Sequence, residues 1–259
     1  MPEFTKHEPG TFCWIELAAH DVNAARKFYT DVFGWGVNEI PMGENGFYYI
    51  FQKNGKDAGA FYEMFPDMKQ QGVPPNWMSY VCVTSADRIA EQAKSLGATL
   101  ASDPFDVFDM GRMCVIKDPQ GAHFAVWEPK SNQGVAVRDE DDTLCWCELH
   151  AVDVEKAKAF YTALGWGMKD SPEYTEFQVN GRSIAGMMKS QVPNAPSFWL
   201  PYFAVANCDA AVDKIKAGGG QVFMGPMDYP SVGRFAIVAD PQGATFAVIK
   251  LDMTGHKPE

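Results

Sequence analysis

Short apolar runs alternate along the chain with segments whose apolar residues recur every three to four positions. "TFCWIELAA", from Thr11, mixes aromatic and aliphatic residues and predicts a strand. Asp21 follows as a helix-capping carboxylate. Val22, Ala25, Phe28, Tyr29 and Val32 then fall on one helical face, and Gly34 suits the helix end. Three strands are predicted near Gly36–Ile40, Gly46–Lys53 and Asp57–Met64. The Pro-rich stretch "FPDMKQQGVPPN" reads as a loop. The order then recurs: a strand at Trp77–Thr84, a helix at Ala86–Leu96 stopped by Gly97, and strands near Ala98–Ala101, Arg112–Lys117 and Ala122–Trp127. The pattern is βαβββ twice over. The rest of the chain predicts it twice more, with helices near Val154–Leu164 and Asp209–Ala217.

The duplication is written in the residues as well as in the pattern. "WIELAAHDV" at Trp14 returns as "WCELHAVDV" at Trp146, and "DVNAARKFYTDVFGW" at Asp21 as "DVEKAKAFYTALGW" at Asp153. "GRMCVIKDPQGAHFAVW" at Gly111 returns as "GRFAIVADPQGATFAVI" at Gly233. Residues 8–129 and 143–252 are read as two domains, joined by a polar linker at 130–142 that ends in "RDEDD". "DPQGA", at Asp118 and Asp240, predicts a hairpin turn between the last two strands of each half. Arg112 and Arg234 each open a strand after Gly and are expected either to pair with the aspartate of that turn or to face an anionic ligand.

Composition narrows the function classes. A hydrophobic fraction of 46% supports a sizeable core, and a net charge of −11 opposes nucleic acid and anionic membrane as partners. Neither a signal peptide nor an apolar run of membrane-spanning length is visible, so the expected location is cytoplasmic. The six cysteines form no CxxC pair and are expected to be buried free thiols.

A strand, then "DVxxAxxFYxxxxGW", then a second βαβββ unit closing in "DPxGAxFAV", resembles the vicinal oxygen chelate superfamily. That superfamily includes glyoxalases, extradiol dioxygenases, fosfomycin-resistance enzymes and bleomycin-binding proteins. The resemblance runs from about Thr11 to Leu251, and its closest likeness is to a two-domain, glyoxalase-like bacterial branch. It implies an α+β fold in which four βαβββ units build two glyoxalase-like half-barrel domains. It also implies where a metal would bind: Trp14 and Trp146 on the first strands, Met78 and Leu200 on the fifth, Ala125 and Ala247 on the eighth. Alanine has no donor, indole offers only an N–H, and a thioether is a soft ligand. Neither a metal site nor a cofactor is therefore expected.

Other residues near those positions carry the candidate chemistry. Glu16 and Glu148 lie two residues beyond the tryptophans, on the same strand face, and His123 lies two before Ala125. Any of the three would serve as a general base in an apolar pocket. A structural partner across the sheet is the competing role for the glutamates, and the favoured one. A substitute metal site built on Glu16 and His123 lacks a third ligand. Trp14, Trp77, Tyr80, Ala125, Trp127, Trp146, His150, Trp199, Tyr202 and Ala247 are the candidate ligand-binding positions, with core packing as the competing role for the aromatics. "FDVFDMG" and "PMDYPSVG" are candidate pocket lids. The expected function is binding of a small, partly apolar metabolite, with or without metal-free acid/base chemistry, by a monomer or homodimer. A metal-dependent lyase or extradiol-type dioxygenase with displaced ligands, and a non-enzymatic sequestering protein, are the alternatives.

Overall fold

A computed structural model describes residues 3–43 and 46–252. The first module runs β1 (Phe12–Ala19), α1 (Val22–Phe33), β2 (Gly36–Pro41), β3 (Phe47–Lys53) and β4 (Lys56–Glu63). After α2 (Pro66–Gln70) comes the second: β5 (Asn76–Cys82), α3 (Ala86–Ser95), β6 (Thr99–Val107), β7 (Gly111–Lys117) and β8 (His123–Pro129). The third comprises β9 (Thr143–Ala151), α4 (Val154–Ala163), β10 (Gly167–Asp170), β11 (Thr175–Val179) and β12 (Arg182–Lys189). The fourth comprises β13 (Phe198–Ala204), α5 (Cys208–Ala217), β14 (Gln221–Tyr229), β15 (Gly233–Ala239) and β16 (Thr245–Leu251). The fold is α+β. Its two eight-stranded sheets have the orders β2-β3-β4-β1-β5-β8-β7-β6 and β10-β11-β12-β9-β13-β16-β15-β14, and neither closes on itself.

Each long helix starts on a side-chain cap. Asp21, Ser85, Asp153 and Asn207 accept backbone N–H bonds in the first turns of α1, α3, α4 and α5. Gly34 ends α1 in the left-handed region, φ 70°. The Pro-rich stretch expected to be a loop contains α2, a single turn that begins on Pro66 with Asp67 beside it. The candidate lids FDVFDMG and PMDYPSVG lie at the paired ends of hairpins. Asp106 stands opposite Arg112 and Val107 opposite Gly111, as Asp228 stands opposite Arg234 and Tyr229 opposite Gly233.

The sheets follow the sequence halves, but the compact units do not. One unit holds the second and third modules, residues 78–134 and 146–200, with the segment up to Trp14. The other holds the first and fourth, 15–77 and from 201 onward, with 135–145. Inside each unit the two repeated motifs meet. Tyr161 of α4, fully buried, donates to Asp118 Oδ2 at 2.9 Å and accepts from the Trp199 indole N–H at 3.1 Å. In the other unit Tyr29 of α1 donates to Asp240 Oδ2 at 3.1 Å and accepts from Trp77 at 2.9 Å. Each aspartate also accepts two N–H bonds from its own turn, Gln120 and Ala122 for Asp118, Gln242 and Ala244 for Asp240. The turn glutamines complete the clamp. Gln120 brackets the backbone N–H and C=O of Asp153, and Gln242 those of Asp21.

The turn aspartates are thus occupied, which corrects the expected arginine pairing. Arg112 makes a fork to Asp87 at 2.7 and 2.8 Å, and Arg234 one to Asp209 at the same distances. Both partners are first-turn acids of α3 and α5, a position that also suits the helix dipole. All six cysteines are free and buried.

Candidate functional site

Successive residues of β9 point to opposite faces of its sheet. Cys145, Cys147 and Leu149 occupy one face and are buried; Trp146, Glu148 and His150 occupy the other. Parallel pairing with β12 sets Glu148 beside Gly186 and His150 beside Met188. Tyr174, just before β11, reaches into this row. Its hydroxyl donates to Glu148 Oε2 at 2.8 Å and accepts from Trp146 Nε1 at 3.0 Å. A Cβ on Gly186 would stand 1.8 Å from that hydroxyl, so this position has no room for a side chain. Burial and the Glu148 charge raise the Tyr174 pKa well above its ordinary range, so it remains a neutral donor.

His150 is the anomaly of this cluster. It is 5% exposed, and its ring stacks on Phe198 at 4.6 Å and 10°. Nε2 lies 3.0 Å from Glu148 Oε1, but neither ring nitrogen has an aligned hydrogen-bond partner among the described residues. Buried imidazoles are ordinarily satisfied, because an unmade bond costs about 1–3 kcal/mol. The arrangement is an imidazole held against a fixed carboxylate on an aromatic platform.

The first module repeats the arrangement with exchanged parts. Glu16 stands beside Ala60 and Ala18 beside Tyr62. Tyr48 donates to Glu16 Oε2 at 2.5 Å, as Tyr174 does to Glu148. Where the third module has His150 and Met188, the first has Ala18 and Tyr62.

The remaining candidates are placed elsewhere. Tyr80 and Ala125 are neighbours across β5 and β8, and Tyr202 and Ala247 across β13 and β16. Trp127 is buried, with its indole N–H on the Asn132 carbonyl at 2.9 Å and its ring where a Gly111 Cβ would stand. Trp77 and Trp199 turn toward α1 and α4, bonded to Tyr29 and Tyr161, and take no part in either glutamate cluster. Trp14 is buried two residues before Glu16 in β1. His123 stands at the exposed start of β8, opposite Lys117. Tyr174, Phe198, Gly186 and Tyr62 were not singled out from the sequence.

The positions that hold a metal in the resembled family do not fit one. Trp14, Met78 and Ala125, like Trp146, Leu200 and Ala247, offer no set of donors, and the Trp146 N–H is committed to Tyr174. Among the described residues no group of three or more His, Cys, Asp or Glu is arranged to hold a metal ion. Protein expressed in metal-replete medium and washed without chelator is expected to carry transition metal only at background level by elemental analysis. A near-stoichiometric content of manganese, iron or zinc would overturn this.

Comparison with known proteins agrees with the fold. The family model for the glyoxalase/bleomycin resistance protein/dioxygenase superfamily matches residues 143–248, and one for a bleomycin resistance protein-like N-terminal region matches 11–47. "Putative glyoxylase CFP32" of Mycobacterium tuberculosis is 37% identical over 96% of this chain and 98% of its own. "Anthracycline biosynthesis protein DnrV" of Streptomyces peucetius is 32% identical over 95% of each chain. Among solved structures, a Mn(II)-bound glyoxalase from Novosphingobium aromaticivorans superposes with TM-score 0.64 at 14% identity, covering 94% of this chain and 83% of that one. The 2,3-dioxygenase LapB from Pseudomonas sp. KL28 gives 0.63 at 13% identity, covering 98% of both. The chain belongs to the glyoxalase/bleomycin resistance protein/dioxygenase superfamily. Among the described residues no helix is long and apolar enough to cross a membrane.

Proposed function

We propose that the protein binds a small, planar, hydroxylated aromatic molecule at the Trp146–Tyr174–Glu148–His150 cluster and accepts a proton from it without a metal. The observation that carries this reading is His150, buried beside Glu148 with neither ring nitrogen in an aligned hydrogen bond among the described residues. An acidic hydroxyl of the ligand would supply the missing bond to the imidazole. Once the proton moves, the Glu148 carboxylate stabilises the imidazolium, and Tyr174 holds that carboxylate in place. Phe198 stacks on the imidazole and fixes its ring plane. The relative named for anthracycline biosynthesis supports a fused-ring phenol as the ligand class.

Alizarin, a dihydroxyanthraquinone, tests this directly because its visible band moves to longer wavelength when a hydroxyl ionises. Bound alizarin is expected to show the ionised spectrum at a pH where the free dye is neutral. His150→Ala is expected to abolish that shift and weaken binding by about tenfold or more, the worth of one charge-assisted hydrogen bond. An unchanged spectrum and affinity in His150→Ala would refute the assignment. Glu148→Gln, which keeps the shape and removes the charge, is expected to retain binding while the spectrum reverts toward the neutral form.

A further inference from the structure

We propose that the first module carries a second ligand site of different chemistry, in which Glu16 and Tyr62 bind a neutral aromatic carboxamide without proton exchange. At matched positions Ala18 and Tyr62 stand where the third module has His150 and Met188. The third module has an imidazole beside its glutamate. The first has phenols, and burial with the Glu16 charge raises the Tyr62 pKa, so this ring stays a neutral donor. Among the described residues the Tyr62 hydroxyl meets a poor acceptor, the Met68 thioether sulfur at 3.9 Å. Glu16 is held by Tyr48 through Oε2 and is not fully buried.

The short helix α2 belongs to this site and has no counterpart after β12. It supplies Met68. Its N-cap residue Phe65 is 49% exposed, with its ring 5.5 Å from that of Tyr62. A ligand here meets a strong donor, a carboxylate acceptor and an aromatic edge. A carboxamide answers all three, with its carbonyl on Tyr62, its N–H on Glu16 and its ring against Phe65. A ligand carboxylate would face Glu16 with like charge.

The test uses the full chain and benzamide as probe, with benzoate and benzamidinium as controls, read by ligand-observed NMR. Saturable benzamide binding is expected, with benzoate excluded. Tyr62→Phe and Glu16→Gln should each weaken it by roughly fivefold or more, a hydrogen bond's worth. His150→Ala should leave it unchanged, and affinity should stay flat between about pH 6 and 8, where an imidazole would titrate. Melting temperatures of both variants near that of the parent would show that the fold is intact. No saturable benzamide binding, equal binding by Tyr62→Phe and Glu16→Gln, or loss on His150→Ala would each overturn the proposal. So would a preference for benzamidinium, which would show a charge site. Because the alizarin spectrum reads only the other cluster, failure of either reading is separable from failure of the other.

Discussion

Tyr161→Phe is expected to destabilise its unit by about 2–3 kcal/mol, the cost of leaving buried polar groups unpaired. The substitution keeps the ring, so the aromatic packing against Trp166, Phe177 and Trp199 survives. What disappears is one oxygen that serves two partners, as donor to Asp118 and acceptor from Trp199. Asp118 keeps its two turn N–H bonds, which limits the loss. For a chain of this size, thermal denaturation should show a fall of roughly 2–4 °C per kcal/mol. A melting temperature within a degree or so of the parent would mean that water takes the hydroxyl's place.

Tyr29→Phe makes the same cut in the other unit, and its pH dependence has a definite sign. Burial, the leading cause, already raises the Asp240 pKa above the ordinary carboxylate value, while the Tyr29 bond lowers it. A folded-state pKa above the unfolded one means that stability falls as pH rises between the two. Removing the Tyr29 donor raises the folded pKa further. The variant's deficit should therefore be smallest in acid, where Asp240 is protonated, and grow as pH rises through the folded pKa. Paired denaturation curves across the acid range test this, and a deficit largest in acid would contradict it.

Gly186→Ala is the second large effect. The new methyl would meet the Tyr174 ring as well as its hydroxyl, at 1.8 to 2.8 Å, so the ring must leave its place. That releases both Glu148 and Trp146 from their shared partner. Overpacking and the lost bonds together should cost about 2–4 kcal/mol, and alizarin should lose its ionised spectrum. Ala60, the counterpart in the first module, makes a useful control. Ala60→Gly should alter neither the spectrum nor the affinity for alizarin. A folded Gly186→Ala variant that still binds alizarin in its ionised form would show that Tyr174 does not position Glu148.

Much of the fold was legible because its signals are local. The capping residues Asp21 and Asp153, the helical period from Val22 to Val32 and the DPQG turns are each read within a few positions. Helix α2 was not, because one turn gives no period to detect. Of the Glu148 cluster, strand alternation alone brings Trp146, Glu148 and His150 to one face. Tyr174, Gly186 and Phe198 come from other segments of the sheet and its loops, and their approach depends on register across loops whose lengths differ between the halves. Trp77 and Tyr80 are three apart in one strand and so face opposite ways, which separates the Trp77 indole on Tyr29 from Tyr80 beside Ala125.

Both locks are spelled with the same letters, a tyrosine from "FYT" and an aspartate from "DPQG", and each sequence half contributes one of each. The chemistry of the lock therefore does not tell one half from the other. What favours a partner in the same chain over one from another copy is tethering: the segment 130–142 keeps the two halves at high local concentration around each other. A chain severed there would keep every donor and acceptor and lose only the proximity that makes their meeting intramolecular.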